Sequence, residues 1–215
     1  VGCLAFAALA EPKRAVVSYS SVVPVLDGDI DGDPAWKSLP WNGDFVLLRK
    51  TVPPKEGTRF KALYTDDALY LAVECRESDV AAMKFEERPE EFWIYDVTEL
   101  FFAPNADEMI HPGCSAGGNR NQQIGGTTLT RTHGQIAWDA KARKGKDRWT
   151  VEYLLPLYLL GVNPARGAVE LPFNMCRSET PHKEYSTWNA TEQFGFPSGF
   201  GRLAFAPPPA AARDR

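Results

Sequence analysis

Short alternating segments separated by turn residues set the fold class of this chain. Residues 148–156 are the clearest case, with Trp149, Val151 and Tyr153 opposing Thr150, Glu152 and Leu154. A period of two is the mark of a strand with two unlike faces. Residues 58–64 and 69–75 repeat the pattern around Thr65-Asp66-Asp67-Ala68 and predict a hairpin. Residues 16–26, 44–50, 97–103, 121–131, 135–140, 169–177 and 201–205 bring the number to about ten short strands. Residues 53–57, 76–91 and 104–118 are expected as loops and residues 157–162 as a short turn, with no long helical period anywhere. In 215 residues this predicts one all-β domain, a two-sheet antiparallel β-sandwich of immunoglobulin-like or jelly-roll type.

The ends read differently. Residues 1–10 are small and apolar and close on Ala8-Leu9-Ala10 before Glu11-Pro12-Lys13-Arg14. They resemble the end of a signal peptide, so the expected product is secreted or periplasmic. The folded domain is expected over residues 16–206, with 207–215 as a disordered Pro- and Ala-rich tail. No other run is long enough to predict a transmembrane segment. A net charge of −4 provides no basic field, so nucleic acid is not an expected partner. Cys75 and Cys176 fall in strand patterns, where they are either paired or inert core thiols; Cys114 is left over.

Two polar features stand out. Glu99 lies in an alternating run that places it on one sheet face with Phe101 and Ala103, opposite Thr98, Leu100 and Phe102. A carboxylate among aromatics needs water, a cation or hydroxyl donors. Trp93, just upstream, is a candidate stacking wall. The second feature is Asp27, Asp29, Asp31 and Asp33 around Gly28 and Gly32. It matches the opening of a calcium loop, but Ser38 stands where an EF-hand needs its closing Glu. Asp27, Asp29 and Asp31 are therefore candidate ligands of a structural Ca²⁺ outside the EF-hand class, beside the simpler reading of Asp-Gly turns. Trp36, which follows, is expected as a core plug, as is Trp149.

Enzyme chemistry finds little support. His111, His133 and His182 lie in sequence without strand pattern, and none has a metal partner at close spacing. Asp96 and Glu99, three apart on one strand, point to opposite faces and are poorly placed to flank one glycosidic bond.

The order of motifs resembles the family 9 carbohydrate-binding modules. The pieces are Leu26-Asp27-Gly28 with Asp33-Pro34-Ala35-Trp36; residues 68–73; residues 96–102; Trp149-Thr150-Val151-Glu152 with Leu155-Pro156; Phe173-Asn174-Met175-Cys176-Arg177; Ser186-Thr187-Trp188; and Phe200-Gly201-Arg202-Leu203. The resemblance implies non-catalytic binding of a polysaccharide or oligosaccharide, with the end of a glucan or xylan chain held between two Trp. It implies Trp93 and Trp188 as the walls and Glu99, Arg120, Asn174 and Arg177 as the polar contacts. Tyr185, three residues before Trp188, departs from the hydrogen-bonding amide some binders carry there. Haem-binding redox domains of the same superfamily imply a second function, for which Met83, Met109 and Met175 are the only Met ligands and no Cys-x-x-Cys-His motif exists. A structural adhesion module without a small ligand is the third.

Overall fold

The computed structural model describes residues 11–84, 89–125, 131–132 and 136–213. The expectations for residues 1–10 and for His133 lie outside these. Among the described residues, thirteen strands are joined by hydrogen bonding, eleven of them in one continuous path. They are β1 Arg14–Tyr19, β2 Val46–Leu47, β3 Thr58–Tyr64, β4 Ala68–Arg76, β5 Val97–Phe102, β6 Met109–Ser115, β7 Arg120–Gly125, β8 Arg131–Thr132, β9 Asp139–Lys144, β10 Arg148–Pro156, β11 Val169–Glu179, β12 Glu184–Thr187 and β13 Gly201–Phe205. The order is β8-β7-β6-β5-β11-β13-β1-β3-β4-β10-β9, with β12 joining β11 to β2.

β1 is the hinge of this path. Its first residues pair with β13 and Ser18 and Tyr19 pair with β3, so one strand belongs to two sheets. Both pairings are parallel, which corrects the expectation of a purely antiparallel sandwich. A strand that changes sheets has no signature in its own hydrophobic pattern. The inner faces of the two sheets meet in one core. Leu100, Phe102, Phe173 and Met175 come from one side, and Phe60, Leu71, Val73, Trp149 and Val151 from the other. The Tyr153 hydroxyl ties the layers together, donating to the Thr98 carbonyl (2.9 Å) and accepting from the Cys114 amide (3.1 Å). Where β7 faces β9, Arg120 pairs with Asp139 and Trp138 with Gln122, drawing the open edges together.

The outer face of the second sheet is covered by residues 27–41. Ile30 and the fully buried Trp36 pack on Leu63, Ala68, Tyr70 and Ala72. Both Trp36 and Trp149 are core residues, as expected. Cys75, Cys114 and Cys176 are buried and form no disulfide among the described residues, and burial pushes the Cys75 thiol up to about 12.

Several boundaries differ from the sequence reading. Residues 104–118 are not all loop, because β6 runs through them. Pro112 and Gly113 disguise it. Pro112 has no N–H to give, and the β5–β6 ladder skips its rung. Gly113 is required for space, since a Cβ there would stand 2.5 Å from the Phe92 ring. The strand expected over 135–140 begins at Asp139, and residues 44–50 contribute only Val46–Leu47. Residues 210–213 form one helical turn. No helix among the described residues is long and apolar enough to cross a membrane.

Candidate functional site

Glu99 organises the outer face of the first sheet. The register places Thr187, Cys176, Glu99, Gly113 and Asn121 in one row across β12, β11, β5, β6 and β7. Residues directly opposite share a face. The row on one side reads Tyr185, Ser178, Val97, Ser115. On the other side Asn174 stands opposite Phe101, and the continued register brings His111 across from Phe101. The His111 ring stacks on Phe101 at 4.0 Å and 22°. Its Nε2 lies 2.7 Å from Glu99 Oε2. Phe194 and Phe200 close this patch beside Phe101. Glu99 is 4% exposed and His111 3%.

Aromatic side chains rise at the margins. The 3-10 turn Pro89–Ile94 leads into β5, and Phe92 seats over Gly113. Trp93, half-buried, stands edge-on to Phe92 at 5.9 Å. On the β12 side Tyr185 is 51% exposed and contacts Phe194 edge-on. The Cys176 thiol next to Glu99 is held well above its ordinary value, first by burial and then by the Glu99 charge, so it stays protonated and inert.

The six residues expected at one site divide into two groups. Trp93, Glu99 and Asn174 belong to this outer face. The Asn174 amide already holds the following turn: it donates to Thr187 Oγ1 (2.9 Å) and the Asn189 carbonyl (3.1 Å), and accepts from the Asn189 amide (2.9 Å). Trp188, Arg177 and Arg120 lie elsewhere. Trp188 is 2% exposed and packs edge-on against Phe60 inside the sandwich, so it is a core plug and not a cleft wall. Arg177 is opposite Thr98 on the inward side, where it donates to Glu77 Oε2 at 3.1 Å. Arg120 shares the row of Cys114 and Thr98, also inward, and lies over the Trp138 ring while pairing with Asp139. A one-residue step along a strand reverses the face, which separates these arginines from Glu99.

With this geometry the chain was compared with known proteins. A family 9 carbohydrate-binding module from Caldicellulosiruptor kristjanssonii, solved in complex with cellotriose, matches with a TM-score of 0.69 at 20% identity, over 93% of this chain and 97% of that one. This chain has the family 9 carbohydrate-binding module fold. The same module solved with glucose gives a TM-score of 0.68 at 20% identity, covering 92% of this chain and 98% of that one. A chain from Bacteroides uniformis gives 0.69 at 16% identity, over 91% of this chain and 100% of that one. By sequence, the chain matches no family model and no curated protein.

On this family 9 fold, the aspartates expected to hold calcium do not gather. Asp29 pairs with Arg143 at 2.6 Å and Asp31 with Arg148 at 2.5 Å. Asp27 accepts from the Asp29 amide, and Asp33 caps the turn at Pro34–Trp36. Carboxylates do converge at one end of the sandwich. Donor atoms of Glu77, Asp96 and Glu179 lie within 4.8 Å of one another, as do those of Glu56, Glu77 and His182. An all-carboxylate group of this kind is the donor set a hard divalent cation takes. Burial raises the Glu77 pKa and the neighbouring Glu179 charge adds to it, while Arg177 opposes.

His111 and Tyr185 are residues of this face that the sequence pattern did not reveal. His111 was hidden by Pro112 and Gly113. Tyr185 was visible only as a departure from the family pattern.

Proposed function

We propose that the domain binds the end of a neutral glucan or xylan chain without catalysis, on the outer face of the first sheet. Trp93 forms one wall, and Tyr185 takes the place expected of Trp188. The observation that carries the reading is a glutamate held on an outer sheet face between half-exposed aromatics. A pyranose has an apolar C–H face that packs on such rings and a rim of hydroxyls that donate to a carboxylate. The structural neighbour solved with cellotriose and glucose supports the same class of ligand. The proposal extends to an exported protein that takes polysaccharide or oligosaccharide as its partner and has no use for nucleic acid.

Isothermal titration with cellotriose, glucose and xylotriose tests it. The expected result is binding of at least one of them by the parent and a loss on Trp93→Ala without a change in melting temperature. Equal binding by Trp93→Ala, or none by the parent, defeats the proposal.

A further inference from the structure

We infer that His111 is the positioning residue of this site: it holds the Glu99 carboxylate in one orientation and leaves its negative charge for ligand hydroxyls. The inference rests on the reading of Glu99 as the acid that meets the sugar. It adds a residue to that reading and a preference for neutral over acidic saccharides.

Three observations support it. First, the ring is fixed from two directions, by stacking on Phe101 at 4.0 Å and by the contact with Glu99 Oε2 at 2.7 Å. A glutamate has three rotatable bonds, and fixing them before the ligand arrives removes a cost from binding. Second, among the described residues Nδ1 of His111 is buried with no partner. A proton there would be a buried donor with no acceptor, and Nε2 would then face a carboxylate lone pair to lone pair. The proton therefore sits on Nε2 and is donated to Glu99. Third, among the described residues the hydrogen-bond partner of Glu99 is this imidazole and not a guanidinium. Among the described residues, both arginines expected here point away from this face, Arg177 to Glu77 and Arg120 to Asp139. Among the described residues, no fixed cation therefore cancels the carboxylate charge. Such a site accepts hydroxyl hydrogens and repels uronates.

The experiment has two arms. In the first, nitrogen-15 imidazole spectra of the sugar-free parent report the His111 tautomer. A fixed Nε2–H form is expected; an Nδ1–H form or fast exchange between tautomers overturns the inference. In the second, cellotriose and a uronic-acid trisaccharide are titrated into the parent, His111→Phe and His111→Gln. His111→Phe keeps a flat ring for Phe101 and removes the donor, so cellotriose should bind about tenfold more weakly, the loss of one charge-assisted hydrogen bond. His111→Gln restores an N–H donor and should recover most of that loss, although it removes the ring. A purely structural His111 predicts the opposite order, with Phe closer to the parent, and that result overturns the inference. The uronate should bind the parent at least about tenfold more weakly than cellotriose and gain on Glu99→Gln. No preference overturns the claim about charge. If the parent binds neither cellotriose nor glucose, the sugar reading falls and takes the inference with it. A parent that binds, with His111→Phe binding equally well, defeats the inference alone.

Discussion

Both sheets bury glutamate on the outer face, and Glu152 of the second sheet and Glu99 of the first are held very differently. Glu152 on β10 takes three donors: Trp36 Nε1 at 2.7 Å, the Gly28 amide at 2.7 Å and the Asp27 amide at 3.0 Å. Glu99 on β5 has, among the described residues, His111 as its hydrogen-bond partner. Both faces also receive a tryptophan from a connecting segment, Trp36 on one and Trp93 on the other. Trp36 is fully buried and gives its indole N–H to the carboxylate, whereas Trp93 stays half-exposed. A saturated carboxylate locks a segment to the sheet. A carboxylate with one neutral donor has lone pairs left for a ligand. Under the proposed function, the same residue type on the outer faces serves stability in one case and recognition in the other.

Changes on the Glu152 side should therefore move stability, and changes on the Glu99 side should move binding. The largest effect is expected from Trp36→Ala, which empties a core site and leaves Glu152 short of a donor. Loss of a buried aromatic costs about 3–5 kcal/mol, and chemical denaturation should show it. Trp188→Ala should behave in the same way, because Trp188 packs on Phe60 and Phe173. Full stability in Trp188→Ala, with binding lost, would return it to the ligand site. Next come Trp93→Ala and Tyr185→Ala, each expected to weaken sugar binding by about 1–3 kcal/mol, by analogy with interface hot spots and base stacking. Their melting temperatures should stay within a few degrees of the parent.

Glu77 at the end of the sandwich and Glu152 beneath Trp36 give a pH prediction. Burial raises the carboxyl pKa of both Glu77 and Glu152. A native value above the unfolded one, about 4.3 for Glu, means the folded state binds the proton more tightly. That contribution is complete below the unfolded value and is lost as pH rises through the native one. Glu77→Gln should then lose less stability than the parent between about pH 4 and about pH 7, read from denaturation midpoints at the two pH values. A parallel decline in both proteins would remove Glu77 from this account. The smallest effects belong to Asp29→Asn and Asp31→Asn. Both aspartate side chains are solvent-exposed, and such pairs contribute about 0–1 kcal/mol. Millimolar calcium against EDTA should shift their melting temperatures as it shifts the parent's. A calcium response lost in Asp29→Asn would put a cation in the Asp27–Asp31 loop after all.

The sequence by itself carried the all-β class, the hairpin of β3 and β4, the burial of Trp36 and Trp149, and the face on which Glu99 lies. Each follows from local chemistry, because a period of two assigns faces without knowledge of neighbours. Tertiary structure decided which strands sit beside that face. Alternation says that Arg177 is on the other side of β11 from Cys176, but only the pairing of Cys176 with Glu99 shows that this side is turned away from the site. Trp188 follows the same logic. It comes one residue after the end of β12, and only the packing of Phe60 and Phe173 around it makes it core. The His111–Glu99 contact joins two strands, one of them disguised by proline and glycine. A pair of this kind is set by register, which long-range pairing fixes and no single segment encodes.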